Sequence, residues 1–392
     1  MKRLLCFFDG TWNKPDGKSD VTNVVKLARV ALGTAPDGVA QITRYIEGIG
    51  TDPGDSEREA FLEGAIGVGI DRRILSGYRF LADHYAPGDE IYLFGFSRGA
   101  FQARSLSGLI GLMGLPPPDA SGLVDAAWEY YQRHTTDPDP ALLAELKAQG
   151  PGDVRVRCLG VWDTVGNLGL PLIGKGGLNS SYAFHDTELS SHIDVGLHAL
   201  ALDEPRGPFS PSLWTKRRGA ALPPGQVIEQ VWFAGSHANV GGGYPDSSLS
   251  DISLLWMAER AQATTGVAFD IERLRATTAP NPLGDVVSPT SDGIYRVSRL
   301  LPFVRLINQD TKGLSPWRRT LLGTWRTNRL EDGLEVVNES LHPSAIERFG
   351  KPVKLWLGTE ARSEAYRPRP LAMALAKPGH TKTGHTKTGR PA

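Results

Sequence analysis

The chain has 392 residues, 40% of them hydrophobic, which is enough to fill one large α/β domain with insertions, or two domains, and excludes disorder for most of its length. Lysine plus arginine and aspartate plus glutamate both number 43, so the zero net charge gives no global argument for a nucleic-acid or membrane partner; any such argument must be local. Two cysteines, Cys6 and Cys158, both inside apolar runs, exclude a cysteine metal cluster and fit buried thiols in a reducing compartment better than a disulfide framework.

The start, Met1-Lys2-Arg3, imitates a signal peptide, but its apolar run stops at Asp9, short of the roughly seven to fifteen residues of a leader's apolar region. No stretch approaches the ~20 apolar residues of a spanning helix. A cytoplasmic protein is expected, one that would leave the cell only by a route without a cleaved leader. Residues 3–8 read as a central parallel strand because the run is continuously apolar. It leads into Asp9-Gly10-Thr11-Trp12-Asn13, a turn-rich loop at a strand's carboxyl end, where open α/β sheets build their sites. Thr22-Asn23 caps a helix over 24–32, and 41–46 is the next strand.

The glycines of 64–70 invite a dinucleotide reading, but a helix-like stretch over 57–63 separates them from the strand. Small residues that let a helix approach the sheet are the better account, with Ile70, Ile74, Tyr78 and Leu81 as the apolar stripe. Residues 90–106 then read as strand, tight turn and helix. Gly95-Phe96-Ser97-Arg98-Gly99 fills G-x-S-x-G, the strand 91–94 precedes it, and Ala100, Phe101, Leu106, Leu109, Ile110 and Leu112 mark one face of the helix behind it. Such a turn exposes Ser97 as a nucleophile at a helix N-terminus, where amides and the dipole favour a developing oxyanion. The competing reading is an ordinary serine capping a helix.

Three prolines, 116–118, stop the chain, and two helices over 120–134 and 141–149 form a surface insertion of about 116–150. Strand 154–161 ends in Trp162-Asp163-Thr164-Val165-Gly166, an acid at a strand tip. Strand 227–233 delivers His237 and the glycines 241–243, and a helix follows over 249–264. Residues 1–270 thus read as a catalytic core and 271–376 as a helical, basic elaboration capping the site, with an edge strand at 353–357. Within it, 295–330 holds eight Arg or Lys against one acid, interleaved with Trp and Leu. Contact with an anionic membrane is one expectation for that segment, a solvated lobe whose arginines pair with acids elsewhere the other. The tail 377–392, with its direct repeat around His380 and His385, is expected to be disordered.

A serine hydroxyl needs a base, and the base needs an orienting acid. Chain order in this architecture is Ser, acid, His, each on a later strand end, which selects Ser97, Asp163 and His237. Asp203, in Ala-Leu-Asp-Glu-Pro-Arg, is the alternative acid; His185, His192, His198 and His342 are the alternative bases, His198 in a helix-like apolar run. The oxyanion would meet the backbone amides of Arg98 and of Gly10 or Thr11, with Asp9 lining the site as the cap of that loop.

The motifs Phe8-Asp-Gly-Thr-Trp-Asn13, Gly95-Phe-Ser-Arg-Gly-Ala100, Val161-Trp-Asp-Thr-Val165, Ala201-Leu-Asp-Glu-Pro-Arg206 and His237-Ala-Asn-Val-Gly-Gly-Gly-Tyr244 together resemble a bacterial and fungal α/β-hydrolase family that includes phospholipase effectors of type VI secretion. The resemblance spans about residues 1–265, and more loosely 337–344. It implies an α/β-hydrolase fold with a mostly parallel central sheet flanked by helices, acyl-ester hydrolysis with phospholipids as substrates in the effector branch, and the same trio Ser97, Asp163 and His237. Neither cofactor nor metal is expected, nor a nucleic-acid partner; oligomeric state is not encoded in any feature of the chain. A non-catalytic ligand- or partner-binding protein on a hydrolase scaffold is the alternative function.

Overall fold

The computed structural model of the chain describes residues 1–10, 21–48, 63–151, 153–165, 189–289, 303–309, 328, 330 and 333–376, with the side chains of 63–68 left aside. Thr11, Trp12, Asn13, Gly166, His185, most of 295–330 and the tail lie outside the described residues.

The first strand, β1 (Arg3–Phe8), is buried over its whole length because both its faces are covered. Leu4, Cys6 and Phe8 join one core cluster and Leu5 and Phe7 another, the two-residue alternation of a strand between two helical layers. Helix α1 (Asn23–Arg29) begins where Thr22 accepts from the amide of Val25, and β2 (Gln41–Ile46) pairs parallel with β1. Helix α2 (Glu63–His84) buries the predicted stripe Ile70, Ile74, Tyr78 and Leu81. Then come β3 (Glu90–Phe96), α3 (Arg98–Met113), α4 (Ser121–Arg133), α5 (Pro140–Lys147) and β4 (Val156–Trp162). Helix α4 sends Val124, Ala127, Trp128 and Tyr130 into the same cluster as α2 and α3, whereas α5 buries no residue fully.

The chain continues through β5 (Ile193–Ala201), β6 (Thr215–Arg217), β7 (Val227–Phe233), α6 (His237–Gly241), α7 (Ser248–Thr265), α8 (Ile271–Ala276), β8 (Val286–Ser288), β9 (Leu334–Val336) and β10 (Glu339–Leu341). A seven-stranded sheet runs in the order β10-β7-β5-β4-β3-β1-β2, and all of its pairings are parallel. Helices α2, α3 and α4 cover one face; α1 and α7 cover the other. This is the mostly parallel, helix-flanked sheet of an α/β hydrolase.

Two expectations are corrected. The run containing His198 is strand β5, not helix: a short apolar run carries no periodicity that separates the two, and β4 and β7 on either side make it a fully covered strand. The described part of 271–376 is mixed rather than helical. Its β11 (Pro352–Leu357), read from sequence as an edge, is the middle strand of a small sheet between β8 and β12 (Glu360–Ala365). This region packs at the ends of β5 and β7, where Ile307, Ala345, Tyr366 and Leu371 share a cluster with Leu200, Leu202 and Trp232.

In-register pairing aligns the carboxyl ends of the strands. Phe8 lies opposite Gly95, Phe96 opposite Trp162, Trp162 opposite Ala199, and Ala201 opposite Phe233. The residues that follow therefore leave the sheet along one edge.

Candidate active site

Ser97 stands between β3 and α3 with φ 58° and ψ −120°, a conformation that side-chain-bearing residues avoid at a cost of about 1–3 kcal/mol. Its side chain makes no cap bond to the helix, so the capping role is not what the structure contains. Its amide donates instead to the carbonyl of Trp162 (3.1 Å), which ties the turn to the tip of β4. Both flanking glycines are required by close approach. A Cβ on Gly95 would lie 2.4 Å from the carbonyl oxygen of Gly99, and one on Gly99 would lie 2.1 Å from that of Phe8. Gly99→Ala is therefore expected to destabilise the fold by about 1–3 kcal/mol, as overpacking does; an unchanged melting temperature would contradict this contact.

Asp163 follows β4 directly, is 0% exposed, and also has positive φ, 40°. Oδ2 accepts from His237 Nδ1 (2.6 Å) and Arg305 Nη2 (3.0 Å); Oδ1 accepts from the amide of Ala201 (3.0 Å) and Arg305 Nη1 (2.5 Å). His237 opens α6, with Asn239 accepting from the Ser236 amide (3.2 Å) to shape the entry. Its ring lies between Phe96 (4.6 Å) and Phe209 (5.0 Å), and its own amide donates to Glu204 (3.2 Å). The glycines after it let α6 rest on the residue before the serine: a Cβ on Gly241 would fall 2.0 Å from the Phe96 ring. Nε2 of His237 is buried and, among the described residues, has no hydrogen-bond partner.

The structure thus brings Asp163 onto His237 and sets both at the edge where Ser97 turns. Asp203, the other carboxylate weighed, is engaged elsewhere, accepting from the amide of Gly235 (2.7 Å) and the hydroxyl of Tyr366 (2.6 Å). Among the rival histidines, His192 bonds the Ser107 carbonyl (2.8 Å) and Ser190 (2.6 Å). His198 accepts from the Thr164 amide (3.3 Å), and burial pushes it down to about 3, so it stays neutral. His342 caps the helix Pro343–Arg348 and stacks on Phe233.

Asp9 is buried, and burial raises it to about 6 despite hydrogen bonds from Tyr45 (2.6 Å), Thr22 (2.7 Å) and the Gly10 amide (2.6 Å). The Asp9 carboxylate thus caps its own turn, as expected, and engages the Gly10 amide; Thr11 lies outside the described residues. Arg98 is the first residue of α3, directly after the serine, as expected.

The electrostatics follow from burial and partners. Burial pushes the Asp163 carboxyl up, but the Arg305 guanidinium and the His237 bond outweigh it and hold it well below the usual carboxylate range. Burial also lowers His237; the bond and charge of Asp163 offset this only in part, and Arg206 adds to the lowering. Arg305 is not singled out by the sequence; it lies in the basic run read either as a lipid surface or as arginines paired with acids elsewhere, and it is of the second kind, buried rather than solvated. The guanidinium is 1% exposed and faces Asp163. Its apolar neighbours Phe303, Leu306 and Ile307 were the available signal for a buried arginine. Of the residues around the imidazole, Phe96 and Glu204 lie within the motifs 95–100 and 201–206 without being singled out there, and Phe209 lies in none.

Among the described residues no group of three His, Cys, Asp or Glu side chains is placed to hold a metal ion, and no helix is long and apolar enough to cross a membrane. Residues 2–260 match the family described as T6SS, phospholipase effector Tle1-like, catalytic domain. The chain belongs to that family. Uncharacterized protein YEL023C of Saccharomyces cerevisiae is 31% identical over 234 residues, covering 55% of this chain and 33% of the yeast protein. An uncharacterized protein from Pseudomonas aeruginosa aligns with 16% identity over 76% of this chain and 51% of its own, at a TM-score of 0.43. A Tle1 effector solved bound to the VgrG spike of the type VI secretion system aligns with 22% identity over 62% of this chain and 51% of its own, at 0.33. The Tle1-like chain described here therefore spans about a third of the yeast relative and about half of each solved chain.

Proposed function

We propose that this Tle1-like chain is a serine hydrolase of carboxylic esters, with phospholipids as its substrate class, working through Ser97, His237 and Asp163. Membership of a phospholipase effector family supports the substrate class. The reading rests on one observation above all: a 2.6 Å bond from His237 Nδ1 to buried Asp163, leaving Nε2 unpartnered at the sheet edge where strained Ser97 turns.

Asp163 holds Nδ1 as the protonated nitrogen, so Nε2 presents a lone pair. Nε2 takes the proton of Ser97 Oγ as that oxygen attacks the ester carbonyl. The resulting oxyanion lies at the start of α3, where the Arg98 amide and the helix dipole favour negative charge. His237 returns the proton to the leaving alcohol, giving an acyl-enzyme, and then removes one from water for its hydrolysis. Because Arg305 balances the charge of Asp163, the neutral imidazole is the resting form of the base, and the imidazolium formed in the transition state is balanced by the oxyanion that forms with it.

A fluorophosphonate probe distinguishes this from a non-catalytic scaffold, since only an activated serine is labelled. Labelling confined to Ser97, together with fatty-acid release from phosphatidylglycerol or phosphatidylethanolamine vesicles, is expected; absence of both overturns the assignment. The acid limb has a definite sign. His237 acts as base only when neutral, and its value is lowered, so kcat/KM should rise with pH through a midpoint below the ordinary imidazole value of about 6.5. A midpoint above 7 in a pH–rate profile would be inconsistent with His237 as that base.

A further inference from the structure

We propose that Arg305 is a positioning residue for the general base, supplied from outside the family-matched segment, and that docking of residues 303–309 completes the catalytic site. The proposal rests on the reading of Ser97, His237 and Asp163 given above. A guanidinium is planar, with donors in a fixed fork, and here the fork closes over both oxygens of one carboxylate: Nη1 to Oδ1 at 2.5 Å and Nη2 to Oδ2 at 3.0 Å. The same two nitrogens donate to the carbonyls of Ala201 and Phe209, each at 2.6 Å. Ala201 ends the strand beside β4, and the ring of Phe209 packs edge-on to His237, so one side chain fixes the acid, the strand tip behind it and the wall of the base. With both oxygens held, the carboxylate cannot rotate away from Nδ1 of His237.

The arginine is delivered by a seated segment. Phe303 donates to the Pro205 carbonyl (2.9 Å), Leu306 donates to Asn328 and accepts from it, and Asn308 donates to Glu339 (3.0 Å). Phe303, Leu306 and Ile307 are buried. The family match ends at residue 260, so the matched segment holds all three triad members but not the group that fixes the acid.

Charge sharpens the role. Among the described residues, the charged groups around the imidazole are Asp163 from the tip of β4, Glu204 and Arg206 from the turn after β5, and, behind Asp163, Arg305 from 303–309. Glu204 and Arg206 form a bidentate pair at 2.7 and 2.9 Å. Two carboxylates and two guanidiniums balance when the imidazole is neutral. Removing Arg305 leaves one negative charge in excess, which favours the imidazolium.

The test compares wild type, Arg305→Met and Arg305→Lys in the full chain by steady-state kinetics against pH, thermal unfolding, and NMR titration of the His237 ring. Arg305→Met should lower kcat roughly ten- to a hundredfold with KM within about twofold, as misplacement of a catalytic group does. Its acid limb should move up by about one pH unit. Arg305→Lys restores the charge without the fork, so its limb should stay near the wild-type position while kcat remains reduced. A folded Arg305→Met with wild-type kcat and an unmoved limb overturns the proposal. Should that variant not fold, wild-type kcat in Arg305→Lys overturns it equally, and failure of both to fold makes Arg305 a purely structural residue, which also overturns it. If wild type cleaves no ester, the functional reading fails by itself; a His237 titration midpoint that differs between wild type and the variant then still supports the inference, and an identical midpoint defeats it.

Discussion

Ser97→Ala is expected to abolish ester turnover, with kcat lower on the order of 10⁶-fold, the scale on which loss of a triad nucleophile acts. The effect is large because the hydroxyl is held in one place: the turn that presents it is enforced by Gly95 and Gly99, each in contact with backbone. The fold should be untouched. The serine side chain makes no cap bond, and alanine suffers the same strain at φ 58° that serine does. Unfolding temperature and circular dichroism of the variant should therefore overlay those of wild type, while vesicle hydrolysis and fluorophosphonate labelling vanish. Appreciable residual hydrolysis in a pure preparation would remove Ser97 from the mechanism.

Asp163→Asn should act on rate and stability together. On rate, an amide can offer its NH₂ to Nδ1 and so select the wrong tautomer, an effect on the order of 10⁴ in kcat for a triad acid. On stability, the change strips Arg305 of its counter-charge while leaving the guanidinium buried, and breaking such a pair from one side costs about 3–5 kcal/mol. The pH dependence has a fixed sign. Asp163 is held below its unfolded value of about 3.9, so its contribution is present in full above that pH and is lost as pH falls through the lower folded value. Urea unfolding of wild type and variant should show a constant gap between pH 5 and 7 that narrows below about pH 4. A gap that widens in acid, or an Asn variant with wild-type kcat, would be incompatible with Asp163 as an ionised orienting acid.

How much was legible varied with how local the signal is. Strands β1, β2 and β7 match their sequence expectations residue for residue; for β1 the reason is that a covered parallel strand is apolar on both faces and ends abruptly at a polar turn. The Ser97 turn was legible for a similar reason: its requirements fall within five consecutive residues, and each glycine answers a contact. The apolar run around His198 is helix-like in sequence but forms β5, because so short a run satisfies either period and only the neighbouring strands decide. The cap that Asp9 forms over the loop after β1 was legible in the same way as the Ser97 turn, since it involves the adjacent residue Gly10.

The apolar strand β1 and the tight turn that carries Ser97 were determined by sequence alone, since each depends on residues adjacent in the chain. That His237 bonds Asp163 rather than Asp203 was decided only by the folded chain. Both follow neighbouring strands, but Asp203 is captured by Gly235 and Tyr366 while Asp163 meets the ring of His237. The place of Arg305 was likewise tertiary: 142 residues separate it from Asp163. A buried carboxylate must find its counter-charge wherever packing brings one within reach, and that partner is set by how the segments dock rather than by their order in the chain.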